Sequence, residues 1–165
     1  LVMLDPPTRG TVEYEIETGE IVPARTRNKF YTEAILPLDL VHRQAMGRLI
    51  PVNHAEADHP YFEGLPTNRF MSGVYQNVCA EKTIIGLGQK PVVSSVSWDI
   101  DHNKLAYWSI EGCWWGSDLT KLPHGQGAVV VSTLNLLDHL GSDPVADRIL
   151  ANMIRREAAS LRAGN

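Results

Sequence analysis

Cysteine is scarce in this sequence, which contains only Cys79 and Cys113 among its 165 residues. The two lie far apart, without a Cys-x-x-Cys spacing and without a histidine pattern beside them. Disulfide frameworks and structural zinc sites need several cysteines, or cysteines and histidines at short fixed spacings. The sequence therefore argues against both kinds of site, and we expect two buried free thiols.

Long apolar runs and clusters of basic residues are also missing. Runs such as 128–131 are far shorter than the roughly 20 residues that cross a bilayer. No basic leader followed by an apolar segment is present. The 15 basic and 19 acidic residues give a formal charge of -4, with no Lys/Arg cluster suited to a phosphate backbone. We expect a soluble chain that binds neither membranes nor nucleic acid.

Length and composition fit one domain. A chain of 165 residues, 44% hydrophobic and 21% charged, can build one core but not two comfortable ones. It starts with Leu1 instead of an initiator Met, and residues 1–4 already have the character of a buried strand. We expect a single α/β domain over 1–165 that is truncated on its N-terminal side, with 8–58 as an insertion or excursion from the core.

The first two thirds of the chain combine short strands with loops. Alternating Val12, Tyr14 and Ile16 predict an exposed hairpin, and apolar spacing over 36–50 predicts a short helix. Residues 59–66 contain two prolines, a glycine and two aromatics, which predicts a fixed loop that buries an aromatic anchor. Further strands are predicted over 83–85, 92–100 and 105–110, with a turn at 101–104.

The final third predicts a buried strand followed by a helix. A glycine-rich turn at 125–127 leads into a β-branched run over 128–134, which is typical of a central strand covered on both faces. Asp143 can cap a helix that starts at Pro144. Apolar residues then recur at helical spacing, so that one face of the helix can pack on the sheet. This combination indicates an α/β layer architecture.

Two segments carry a resemblance to a known family. The block 123–154 contains the glycine-rich turn, the strand and an Asp-Pro-Val-Ala-Asp helix start, and the block 59–66 reads His-Pro-Tyr-Phe-Glu-Gly-Leu-Pro. Both resemble segments of the C-terminal, class I glutamine amidotransferase-like (flavodoxin-like) domains appended to bacterial family 2, β-galactosidase-like, glycoside hydrolases. The resemblance implies a layered sheet with helices whose first β-α-β units lie upstream of Leu1.

The same resemblance implies a context and partners. The parent protein would be a glycoside hydrolase, and this chain an accessory domain that contacts upstream glycosidase domains or an oligomer partner. The sequence carries no address that fixes its location, and for a soluble chain of this kind we expect the bacterial cytoplasm or periplasm. No cofactor is implied.

Signatures of catalysis by this chain are missing. A class I amidotransferase needs a nucleophilic Cys on a strained strand-to-helix turn flanked by glycines, and neither Cys79 nor Cys113 has that context. The six histidines show no pair at i, i+4 spacing for a metal. We therefore assign no catalytic residue and no metal ligand.

A glycosidase would need two carboxylates on either side of a sugar, about 5 to 10 Å apart. The sequence offers several acids but no spacing that singles out a pair. Most of them are expected to be solvated or to cap turns. The candidates are Glu63, Asp99, Asp101, Glu111 and Asp118.

An aromatic cluster is the most suggestive functional feature. Indole faces stack on the apolar face of a pyranose, and nearby carboxylates can accept hydrogen bonds from its hydroxyl groups. Because side chains alternate along a strand, at least one of Trp114 and Trp115 is expected to pack in the core or against another domain. The candidate substrate-binding set is Tyr107, Trp108, Trp114, Trp115, Glu111 and Asp118.

Three functions fit these observations. The first is a non-catalytic accessory or assembly domain of a glycoside hydrolase, which predicts no turnover by this chain alone. The second is a free-standing saccharide hydrolase that uses acids in the 99–118 region, which predicts hydrolysis lost on a single carboxylate-to-amide change. The third is a saccharide-binding module, which predicts ligand-dependent quenching of tryptophan fluorescence.

Overall fold

The structure is a computed structural model of the chain. It describes residues 1–6, 9–10, 13–14, 21–22, 40–44, 54–55, 59–67, 69–71, 73–87, 90–101 and 109–163. The strands are β1 (Val2–Leu4), β2 (Arg9–Gly10), β3 (Glu13–Tyr14), β4 (Ile21–Val22), β5 (Val41–Gln44), β6 (His54–Ala55), β7 (Lys82–Ile85), β8 (Val93–Asp101), β9 (Ser109–His124) and β10 (Gly127–Ser132). The helices are α1 (Pro144–Ala163) and three 3-10 turns at Pro60–Phe62, Gly73–Tyr75 and Leu137–His139.

Eight of the strands form one mixed sheet. Its main path runs β1-β10-β9-β7-β5-β2, while β8 pairs with β9 and β6 pairs with β8. The β1/β10 and β2/β5 pairs are parallel, and the other pairs of this sheet are antiparallel. A mixed sheet together with α1 gives the described part of the chain an α/β character, as the sequence predicts.

The strand β10 is buried on both faces, which confirms the prediction from its β-branched run. It is internal to the sheet, with β1 on one edge and β9 on the other. Val130 belongs to the apolar cluster on the side of α1, whereas Val129 and Val131 belong to a second cluster. Because the alternate residues are all apolar, neither face of this strand is left to water.

The helix α1 begins as the sequence predicts. Asp143 caps it, since its Oδ1 accepts a hydrogen bond from the backbone N–H of Val145 at 2.8 Å. The first helical residue is Pro144, whose missing N–H costs no intrahelical bond at that position. Ile149 and Met153 are fully buried against the sheet and the 59–66 loop. Burial of this stripe is the main force that holds the helix to the sheet.

The opposite face of the sheet carries the second apolar cluster, and within the described ranges α1 is the only α-helix. That cluster joins the residue before β5 with β7, β9 and β10 across the sheet. It consists of Leu40, Ile84, Leu122, Val129 and Val131, with Met3 and Leu87 at its margin.

Three local predictions have different outcomes. The helix predicted over 36–50 is wrong at Val41–Gln44, which form β5, because these residues gain ladder hydrogen bonds on β7. The hairpin around Tyr14 is confirmed by the antiparallel β3/β4 pair, although Val12 and Ile16 lie outside the described residues. The predicted strand over 105–110 begins at Ser109 and continues much further, to His124, while 105–108 lie outside the described residues.

No described helix has both the length and the apolar content to span a bilayer.

Candidate functional site

Asp118 occupies a β-bulge in the middle of β9. On the β8 side, Leu119 pairs with Val93 and Ser117 pairs with Ser94, so Asp118 has no counterpart in β8. An extra residue of this kind bends the strand and re-aims a side chain. The result here is a carboxyl group in the interior, since Asp118 is only 1% exposed.

The carboxyl group of Asp118 is incompletely hydrogen-bonded. Its Oδ1 accepts from the hydroxyl of Ser95 at 2.9 Å, whereas Oδ2 has no partner within the described part of the chain. Burial raises the pKa of Asp118 to about 7, although the hydroxyls of Thr83 and Ser95 act in the opposite direction. The Thr83 hydroxyl lies near enough to Asp118 to lower its pKa, but Thr83 Oγ1 and Asp118 Oδ2 are not in hydrogen-bonding geometry. The group is therefore partly protonated at neutral pH.

A glycine makes room for this cluster. Gly116 lies two residues before Asp118 on β9, and a Cβ atom there would overlap the side chain of Thr83. Thr83 is fully buried on β7 and sits directly against the Gly116 backbone. A glycine inside a strand often marks such a close approach, or a bulge. The position of Gly116 inside a strand was the one sequence signal that could have pointed to this site.

The aromatic candidates are placed less centrally. Trp115 is 63% exposed on β9 and pairs with Val96, whereas Gly116 pairs with Ser95, the hydrogen-bond donor to Asp118. Because successive residues alternate between faces, Trp115 projects from the face opposite to the Asp118 carboxyl group. The structure does not bring these two candidates together. Outside the described side chains lie Trp114 and Glu111 of β9, and outside the described residues altogether lie Tyr107 and Trp108.

The remaining carboxylate candidates do not form a pair with Asp118 in the described part of the chain. Glu63 is exposed in the loop that precedes Gly64. Asp99 and Asp101 belong to β8, where their side chains lie outside the described ones. Oxygen atoms of a second acid would have to lie within about 10 Å, across an open sugar site, for a glycosidase mechanism.

A second polar arrangement ties the 59–66 loop to α1. The side-chain amide of Asn152 donates to the backbone carbonyls of Tyr61 at 3.1 Å and Glu63 at 2.9 Å. Asn152 is buried within the apolar face of the helix, where an unpaired amide would be costly. Sequence reasoning missed this contact, although a lone Asn amid apolar helix positions is a usable signal.

The same loop is anchored by Glu157. Its Oε1 accepts from the hydroxyl of Tyr61 and its Oε2 accepts from the ammonium of Lys121 on β9, both at 2.6 Å. Burial raises the pKa of Glu157, but the hydrogen bonds from Lys121 and Tyr61 and the nearby positive charges outweigh it, so the pKa lies below its usual range. Burial and the bond to Glu157 raise the pKa of the Tyr61 hydroxyl. Loop, helix and sheet are thus joined at one carboxylate.

A third polar group links Asp5, just after β1, with residues of β5 and β7. Lys82 and Asp5 form an ion pair, and the Nδ1 atom of His42 is buried without a hydrogen-bond partner among the described residues. Burial and the charge of Lys82 lower the pKa of His42, while Asp5 acts in the opposite direction. A neutral imidazole therefore predominates there at neutral pH.

Metal-binding residues do not converge in the described part of the chain. No group of three or more His, Cys, Asp or Glu side chains could hold an ion there. Cys79, expected to be buried, is only partly so, and its Sγ lies near the backbone carbonyls of Met71 and Tyr75. The side chain of Cys113 lies outside the described ones.

Comparisons of the chain with family models, with curated proteins and with solved structures found no match in any of the three. The likeness to C-terminal domains of family 2 glycoside hydrolases is thus carried by the motif residues of 59–66 and 123–154 alone.

Proposed function

We propose that the chain is a non-catalytic accessory or assembly domain of a carbohydrate-active glycoside hydrolase. The observation that carries this proposal is the pair of hydrogen bonds from Asn152 to the carbonyls of Tyr61 and Glu63. They join the two sequence blocks on which the family resemblance depends, although the blocks are far apart along the chain. Contact between them is what a shared structural unit requires, and it supports their origin in one kind of domain.

The surroundings of Asp118 support a structural role in preference to a catalytic one. A glycosidase acid needs a raised pKa, which Asp118 has, but it must also reach the glycosidic oxygen and face a second carboxylate. With 1% of its surface exposed and hydroxyl groups as neighbours, Asp118 meets only the first requirement in the described structure. Its place in the bulge fits a polar residue that fixes strand register.

The finer fold belongs to the same proposal. A flavodoxin-like or glutamine amidotransferase-like sheet is built largely from parallel strands with helices between them. The parallel β1/β10 pair and the packing of α1 beside β10 are the features that support such an arrangement. Additional parallel strands would then come from residues upstream of Leu1.

Saccharide contact is a second candidate function, which the exposure of Trp115 favours. A 63% exposed indole on a strand can stack on a pyranose ring without rearrangement of the core. The contact would form on the sheet face opposite to Asp118, so any carboxylate partner has to come from elsewhere. Such a surface is compatible with an accessory domain at the rim of a substrate pocket.

Hydrolysis assays on the purified chain test the proposal. We expect no release of nitrophenol from a panel of aryl glycosides, and we expect the reading frame upstream of Leu1 to encode a catalytic glycosidase domain that co-elutes with this chain when the two are produced separately. Turnover that disappears in Asp118→Asn or Glu111→Gln would establish the hydrolase alternative. An upstream frame without a glycosidase domain would remove the accessory role.

Saccharide titration tests the second candidate. Trp115→Ala is compared with Leu161→Ala, which removes another exposed large side chain from a different surface. We expect heats of oligosaccharide binding in isothermal titration calorimetry to vanish only in Trp115→Ala. Binding that is equal in both variants, or absent from the unaltered chain, would contradict saccharide contact at this indole.

A further inference from the structure

The outward face of α1 carries an apolar seam that nothing in the described structure covers. Ile154 and Leu161 are 54% and 71% exposed, and Ala151 and Ala158 are exposed between and beside them. The spacing of these four residues alternates between three and four positions, which aligns them on one side of the helix. This seam lies opposite the stripe that contains Ile149 and packs on the sheet.

A row of arginines runs along one edge of the seam. Arg148, Arg155 and Arg162 are exposed and seven positions apart, so they recur about every 10.5 Å along the helix. Arg155 and Arg162 flank a shallow open space on the helix surface above Ala158 and Ala159. Among the ion pairs of the described residues, none involves this row. Its positive charge is therefore not neutralised within that part of the fold.

We propose that this face of α1 is a docking surface for an amphipathic helix of a partner protein with an acidic edge. An apolar seam at alternating three- and four-residue spacing, flanked by a row of like charge, is the pattern by which two helices pack in register. The alanines let the partner backbone approach closely, Ile154 and Leu161 supply the apolar contact, and carboxylates at seven-residue spacing would pair with the arginines.

The charge of this surface favours an acidic helix over a nucleic acid or a second copy of the chain. A nucleic acid is disfavoured because the chain has a formal charge of -4. A second copy of the chain is disfavoured because it would bring an identical arginine row to the interface. Asp147, the acid in the first turn of the same helix, already accepts a hydrogen bond from the backbone of Gly141. An acidic helix complements the surface in both shape and charge.

The identity of the partner rests on the proposed assembly role, but the chemistry of the surface does not. A synthetic helix can therefore test the surface alone, while the hydrolysis assays test the role. The probe is an amphipathic peptide of four heptads with leucine at its seam positions and glutamate on one edge. Its control replaces those glutamates with lysine and keeps the seam.

Binding of both peptides to the full chain is measured by fluorescence anisotropy at low salt. We expect the glutamate peptide to bind about tenfold tighter than the lysine peptide, the combined effect of three exposed ion pairs. Arg155→Glu should reduce that preference to about twofold, because two attractive pairs then remain against one repulsive pair. The matched variant Arg156→Glu makes the same charge change next in sequence, beside Tyr61 instead of the seam, and should preserve it.

Leu161→Ser tests the apolar contact independently of the arginines, and it should weaken the binding of both peptides by the same factor. Circular dichroism of each variant confirms that α1 is intact before binding is compared. Equal affinity for the two peptides, no binding of the glutamate peptide, or an equal effect of Arg155→Glu and Arg156→Glu would each overturn the proposal. Concentration-dependent dimerisation through this face, lost in Leu161→Ser, would assign it to a second copy and overturn the proposal as well.

Discussion

Asn152 donates a hydrogen bond from its side-chain amide to the backbone carbonyl of Tyr61, 3.1 Å away. A second bond reaches the carbonyl of Glu63 at 2.9 Å. Replacement by alanine would leave both carbonyls without this donor in a partly or fully buried setting. We expect Asn152→Ala to lower the free energy of unfolding by about 2 to 3 kcal/mol, measured by urea denaturation.

The control for this change is Gln126→Ala, which removes an amide side chain from the exposed turn before β10. Its free energy of unfolding should stay within about 0.5 kcal/mol of the unaltered chain. Similar losses in the two variants would mean that Asn152 does not link the loop to the helix.

Asp118 predicts an unusual dependence of stability on pH. Its pKa is about 7 in the folded protein against 3.8 as its reference, so between these values the folded chain binds more protons than the unfolded chain. The free energy of unfolding should therefore fall as pH rises through this window. Asp118→Asn, which has no charge to bury, should equal or approach the unaltered chain at pH 5 and exceed it by about 1 to 3 kcal/mol at pH 8.

Urea denaturation at pH 5 and pH 8 checks this, with Asp138→Asn as the control because it removes an exposed carboxylate. An equal pH dependence in the unaltered chain and Asp118→Asn would show that the carboxyl group is hydrated or paired in the folded state.

Tyr61→Phe should destabilise the fold in a way that depends on the charge of Glu157. The phenol donates to this carboxylate at 2.6 Å, and the loss of a hydrogen bond to a charged group costs about 1 to 2 kcal/mol. The pKa of Glu157 is lowered, so the stability it supplies is present above its unfolded pKa and is lost as pH falls through the folded value. The cost of the substitution should therefore shrink below about pH 4.

Tyr75→Phe is the matched control, because that hydroxyl donates to the neutral carbonyl of Pro66. Its cost should not vary over the acidic range. Parallel pH profiles for the two variants would exclude a charge-dependent bond at Tyr61.

Gly116→Ala tests the close packing beside Asp118. The new methyl group would overlap the buried Thr83 side chain, and overpacking of this kind costs about 1 to 3 kcal/mol. Gly127→Ala serves as the control, since the nearest atom to a Cβ there is the His124 carbonyl oxygen at 3.8 Å. Thermal unfolding should show a clear loss of Tm only for Gly116→Ala, and the loss should be smaller in a Thr83→Gly background. A loss of the same size in that background would mean that Thr83 is not the obstacle.

The sequence predicts best where burial alone determines structure. The run 128–134 has apolar side chains on both faces, and a capped helix starts at Pro144, so local pattern and packing agree in β10 and α1. The 59–66 loop also behaves as predicted, with Tyr61 and Phe62 buried. In each case a few neighbouring residues contain the whole signal.

Prediction from the sequence fails where the structure of a segment depends on the strand that pairs with it. Nothing within Val41–Gln44 shows that β7 will lie beside it, so helical spacing was the stronger local signal and gave the wrong element. The bulge at Asp118 likewise depends on the register of β8 against β9, which the sequence of β9 does not contain. Hence Asp118 could be named as a candidate acid, but its burial beside Ser95 and Thr83 could not be foreseen.

The parallel pairing of β1 with β10 has a consequence for handling the protein. Only three residue pairs, Val2 with Val130, Met3 with Val131 and Leu4 with Ser132, shield that edge of the valine-rich strand. A proteolytic cut that removes β1 would uncover the apolar edge of β10 with unsatisfied amides, the usual template for intermolecular β-sheet aggregation. Preparations that lose β1 should therefore precipitate although α1 and the β9/β10 hairpin are untouched.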